Sequence, residues 1–167
     1  DAVVYENDTN LTQPGTLITK HSISAVVKGG DPQQIAQTIA DLKAAGGTNT
    51  FGDNAAIVYT GNHPITIRFW YAIAQPITAT IYITPLAGYS NAIGEQARQA
   101  LFDYINGLKI GQSIFQSNII AAVVNPAFNL LDIGVGINAL PEQLLDVAVP
   151  YNGYPSLLLS AITLTIM

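Results

Sequence analysis

The residues of this chain that could do chemistry are few and far apart. Its two histidines are His21, ahead of a β-rich run, and His63, inside a turn signal. Neither has a carboxylate or a second histidine at metal-ligand spacing. There are no cysteines, which excludes disulfides, thiolate metal sites and cysteine nucleophiles. The nucleophile-elbow pattern G-x-S-x-G is absent. Gly29-Gly30-Asp31 precedes a helical run and has the outline of a phosphate-binding turn. Asp31, however, puts negative charge where the anion would sit, and no P-loop lysine follows. The eleven acidic residues are dispersed, with Glu6 near Asp8 and Asp53 beside Asn54, and no calcium loop of the D-x-[DN]-x-[DN]-G type occurs. The expectation is no catalytic residue, no cofactor, no metal and no small-molecule substrate. A hydrolase whose site is assembled from distant residues stays open as a remote alternative.

Aromatic residues are the other chemistry on offer. Tyr89, Tyr151 and Tyr154 fall in predicted loops and are the candidate partner contacts, because tyrosine and tryptophan are common interface anchors. Each could equally lie flat over a neighbouring strand. Arg68, beside Phe69 and Trp70, is either a strand-edge contact or half of a partner salt bridge.

Charge narrows the function classes. The chain carries a formal charge of −5, and its six Lys and Arg are scattered. Nucleic-acid binding needs a cationic footprint, and a polybasic membrane-surface segment needs a basic run; neither is here. No apolar run approaches the ~20 residues that span a bilayer. Charged residues make up 10% of the chain, against roughly 25% in a typical soluble domain. With a mean hydropathy of +0.32, that implies either a bland surface or one hidden against partners, and the second fits better.

The elements that would position these residues are best marked from His21 to Gly52. Ser22–Val27 alternates as a strand, and Gly29-Gly30 ends it. Asp31 is placed to cap a helix, with Pro32 in its first turn and Gln34 completing a capping-box spacing. Ile35, Ile39 and Leu42 form one apolar face of a helix predicted over 32–45, and Gly46-Gly47 stops it. Residues 2–5 read as a short strand and Asn7 to Gly15 as an exposed loop. Two β-rich runs, 55–60 and 64–72, flank the hairpin signal Gly61-Asn62-His63. Ile77–Thr84 alternates Ile77, Ala79, Ile81 and Ile83 on one face. A helix from about Ile93 to Leu108 buries Ala97, Ala100, Leu101, Tyr104, Ile105 and Leu108. Ser113 can cap a third helix holding Phe115, Ile119 and Val123, ended by Pro126. Leu130–Ile137 reads as a strand, Leu140–Leu145 as a helical turn or interface loop, 151–155 as a turn, and Leu157–Met167 as a final strand. The fold class expected is α+β: two small subdomains, 1–75 (β-α-β-β, with an N-terminal loop) and 76–167 (β-α-α-β-β), each a mostly antiparallel sheet with helices packed on one face.

These motifs in this order also resemble a family. The run "SI-x-x-VV-x-GG-D-x-x-x-IA-x-x-I", followed by "K-x-AG-x-x-T-x-G", resembles the baseplate J-like proteins of contractile-tailed bacteriophages. Tyr5-Glu6-Asn7-Asp8-Thr9, Ile65-Thr66-Ile67-Arg68-Phe69-Trp70, Thr84-Pro85-Leu86, and Tyr104-Ile105-Asn106-Gly107-Leu108 with Gly111 extend the likeness over most of residues 3–135. The resemblance implies a non-enzymatic virion component of the tail baseplate, assembled in the host cytoplasm, whose partners are other copies of itself in a ring and other wedge subunits. It also implies that the chain is the C-terminal portion of a longer polypeptide. Its mechanism would be packing contacts that rearrange when the sheath contracts. The competing reading is a carbohydrate- or cell-surface-binding module built on Thr- and Tyr-rich strands.

Overall fold

A computed structural model describes residues 1–43, 48–86, 89–123, 133–137 (backbone only) and 146–166. The chain divides into two compact units, Asp1–Ile73 and Ala74–Met167. The fold is α+β, with two largely antiparallel sheets and helices packed on them.

The first unit contains β1 (Ala2–Asn7), β2 (Ser22–Val27), α1 (Pro32–Leu42), β3 (Asn49–Thr50), β4 (Asn54–Thr60) and β5 (His63–Tyr71). The sheet order is β1-β2-β5-β4. β1 runs antiparallel to β2, and β4 and β5 form an antiparallel hairpin. β3 and β5 both run parallel to β2, beside Ser22–Ile23 and beside Val26–Val27 respectively. The parallel pairs follow from the helix between β2 and β3, because such a connection returns the chain in the same direction.

α1 starts where the sequence predicts. The Asp31 carboxylate accepts hydrogen bonds from the Gln33 and Gln34 amides, each at 3.0 Å. The helix ends at Leu42, with Lys43 already extended, short of the predicted Ala45. The proposed Gly46-Gly47 stop lies outside the described residues. The helix packs across β4 and β5 through Ala36, Ile39 and Ala40, against Ala56, Val58, Ile65 and Ile67. Of the predicted Ile35–Ile39–Leu42 stripe, Ile39 packs against this cluster, Ile35 is half-buried and Leu42 is outside it. Ala36 is fully buried, while Leu42 is 81% exposed. The small side chains of Ala36 and Ala40 let the helix settle close on the hairpin, with Ile39 packing beside them.

Two devices hold the rest of the unit. Asn7 is not a loop residue but the buried end of β1. Its side-chain amide donates to the Leu11 and Ile18 carbonyls, 2.8 Å each, and its carbonyl oxygen accepts from the Thr9 amide, so the following loop folds back on it. A Cβ at Gly52 would collide with the backbone of Phe69, so only glycine lets the chain pass there.

β6 (Ile73–Ile83) opens on the last residue of the first unit and otherwise belongs to the second, which also contains α2 (Asn91–Gly107), α3 (Gln116–Val123), β7 (Ile133–Ile137) and β8 (Gly153–Ile166), with sheet order β7-β6-β8. β6 begins ahead of Pro76, so the predicted boundary at Gln75-Pro76 falls inside a strand. Its alternation is as expected: Ile77, Ala79, Ile81 and Ile83 are buried in a core with Ala97, Leu101, Ile105, Ile119 and Val123. Gly94 joins the buried stripe of α2, while Ala100, Tyr104 and Leu108 are half-buried. Asn106 ties α2 to β8 by donating to the Leu157 carbonyl at 2.9 Å and accepting from its amide at 3.1 Å. Ser113 does not cap α3. The Gln116 amide donates instead to the Asp146 carboxylate at 3.0 Å, and the Ser113 hydroxyl accepts from the Val149 amide. Leu130–Asp132, Pro126 and the predicted turn at Leu140–Leu145 lie outside the described residues. Among those described, no helix is long and apolar enough to cross a membrane.

Candidate functional site

One helix cannot cover this five-stranded sheet. A helix with its side chains is about 10–12 Å across, and strands lie about 4.8 Å apart, so α1 shields roughly two of them. It shields β4 and β5. Among the described residues no helix covers the strip formed by β1 and β2, where Val4 is exposed and Ile23 and Val27 are half-buried. The result is a groove of about 820 Å³. Val4, Ile23, Ala25 and Val27 form its floor, and Ile35, Ile39 and Leu42 its helical wall. Lys28, Asp31 and Asp1 stand at one end, Glu6, Lys43 and Thr48 at the other. Mixed charges at both ends favour no ion of one sign. Val4 is 62% exposed, and together with Leu42 it makes an apolar surface that water now covers. The stripe read from the sequence is real, but it lines the groove, and only Ile39 of the three also packs against the core.

A second apolar exposure lies at the opposite edge of the sheet. On β4, Ile57 is 57% and Tyr59 66% exposed, on the face away from α1. Gln33 reaches from the first turn of α1, and its side-chain amide donates to the Ile57 carbonyl at 2.7 Å.

The residues singled out in the sequence are placed less openly. Tyr89 is half-buried and packs against the core of the second unit, with its hydroxyl close to Gly94. Tyr151 is half-buried in a turn, and Tyr154 is half-buried inside β8 rather than in a loop. All three are in the second unit, and none is among its strongly exposed apolar side chains. Arg68 donates its amide to the Thr50 hydroxyl at 2.8 Å, and its guanidinium reaches toward the Gly52 carbonyl. His21 takes a positive φ of 50° and pairs through Nε2 with Asn10 Oδ1 at 2.9 Å; His63 starts β5 and is exposed. Among the described residues, no three His, Asp or Glu side chains gather as a metal cluster would require. Burial raises the Tyr5 phenol above its ordinary value.

The sequence reading missed Val4, Leu42, Ile57 and Tyr59 as surface. Local periodicity marks all four as apolar. The sign that they would be left over was the count of elements, with one helix for several strands. The chain matches no protein-family model, and no curated protein matches it significantly.

Proposed function

We propose that this chain is an assembly protein of a contractile-tail baseplate, acting through contacts with further copies of itself and with other wedge subunits. The observation that carries the reading is the open groove of the first unit. A low-charge protein that leaves Val4 and Leu42 exposed along an apolar groove has a surface suited to a partner. The ordered motif likeness over most of residues 3–135 supplies the baseplate context. The half-buried state of Tyr89, Tyr151 and Tyr154 leaves less ring area for stacking on sugars, which weakens the carbohydrate-binding alternative.

The test is immuno-electron microscopy of particles from the source organism, using antibody raised against this chain. Label at tail tips or on baseplate-like rings is the expected result. Label absent from every particle, with reproducible binding on a glycan array, would replace this reading with the carbohydrate-binding one.

A further inference from the structure

We propose that β4 is a self-pairing edge, through which two copies of this chain join their first sheets antiparallel about a two-fold axis at Ile57. This deepens the assembly reading by naming one interface, and it rests on that reading only for what the pair goes on to build.

The direction of the free groups follows from the hairpin. Gly61, at φ 62°, and Asn62 form a two-residue turn closed by the Thr60–His63 pair. In such a hairpin the closing pair is hydrogen-bonded and pairs alternate from there, so Val58 and Ala56 bond toward β5. Ala55, Ile57 and Tyr59 then aim their N–H and C=O groups away from the sheet. Two contacts agree with this parity. The Ile57 carbonyl is the one Gln33 reaches, and on β5 the Arg68 amide points the other way, to Thr50.

β4 lies at the end of the strand order, and its sequence Asn-Ala-Ala-Ile-Val-Tyr-Thr has no charge and no proline. Exposed edges usually carry lysine, proline or a bulge to prevent pairing. Here the one guard seen among the described residues is the Gln33 amide. A two-fold at Ile57 sets Ile57 opposite Ile57 of the second copy, and Ala55 opposite its Tyr59. The large ring thus meets the small side chain, and the exposed apolar atoms of Ile57 and Tyr59 become cross-strand contacts. Asp53 would lie opposite Gly61 of the second copy, so no like charges meet. Because α1 packs across β4 and β5, the two copies of α1 would stand about two strand spacings apart, roughly 10 Å, an ordinary helix-packing distance. A second copy is therefore the occupant this edge suits.

The experiment is sedimentation velocity on the full chain over a concentration series, with far-UV circular dichroism confirming the fold. Wild type is expected to show a concentration-dependent dimer, and Gln33→Ala to form it at lower concentration. Ile57→Lys and Ile57→Glu should each be monomeric, because the register opposes like charges. Mixed in equal amounts they should restore the dimer, an outcome that simple misfolding would not produce. Dimers that persist in both single variants, or a mixture that stays monomeric, would overturn the pairing; so would wild type and Gln33→Ala both remaining monomeric throughout. Loss of the pair with label still at tail tips would sink this inference alone. Label absent from particles beside a positive mixing result would sink the baseplate reading alone.

Discussion

The two units cover their sheets to different extents. In the second, among the described residues, two helices lie over a three-stranded sheet, and every inward residue of β6 from Ile77 to Ile83 is at most 4% exposed. In the first, among the described residues, one helix lies over a five-stranded sheet, and the buried cluster at their contact is Ala36 of the helix with Val58 and Ile67 of the sheet. The same kind of apolar sequence thus produces a closed core in one unit and an open groove in the other. What differs is the ratio of helix width to sheet width. Apolar residues left over by that ratio are available for partners, whereas those in the closed core serve the fold.

The sharpest way to break this comparison is one substitution made in both units. Leu101→Ala removes a fully buried side chain from the closed core, and should cost about 2–5 kcal/mol, read from urea unfolding. Leu42→Ala removes a side chain 81% in water, and should change stability by no more than about 0.5 kcal/mol. Equal costs would mean that the groove is already filled in the isolated chain.

The next effect is confined to the first unit. Gly52→Ala forces the chain off the Phe69 backbone, and should destabilise by about 1–3 kcal/mol. The Phe69 atoms that a Cβ would meet are its backbone O, C and Cα, so the strain has no cheap outlet. Gly107, by contrast, has open space where a Cβ would go, and Gly107→Ala should be tolerated. Thermal melts of the two variants check the pair.

Helix caps give a smaller effect, and the two units differ in where the cap comes from. Asp31→Ala should cost about 0.5–2 kcal/mol by freeing the first amides of α1. Asp146→Ala should cost a similar amount through α3, and should also loosen the segment that carries it. Hydrogen exchange distinguishes them: protection should fall at Gln33 and Gln34 in the first variant and at Gln116 in the second.

This contrast in caps also marks how far the sequence could be read. Asp31 stands directly before the helix it caps, and Ser22–Val27 and the β6 alternation are equally local, so these were legible. The cap of α3 comes from a residue 30 positions away, which no local pattern announces. β3 has two residues held by pairing with β2, and a local reading takes it for loop. The candidate surface fell between these cases. Its apolar residues were visible, but whether they would be covered depended on how many helices met how many strands. Tyr89 shows the converse: it lies between β6 and α2 as predicted, and the tertiary structure adds that its half-buried ring packs against the second core.

The smallest effect concerns the covered face of the first unit. Val4 lines the groove, so by alternation Tyr5 points to the opposite face, where Asn7 anchors the folded-back loop. Burial there disfavours the phenolate and raises the Tyr5 pKa above 10.0. The sign follows from linkage: the folded state holds the Tyr5 proton more tightly than the unfolded state does. The resulting stabilisation is fully present below the unfolded pKa and is lost as pH rises through the folded value. Tyr5→Phe should therefore flatten part of the alkaline fall in stability, with no change at neutral pH beyond the lost hydroxyl. Urea midpoints from about pH 9 to about pH 11 measure it. An unchanged alkaline slope would mean that the loop does not keep this face covered, and the first unit would then be open on both sides rather than one.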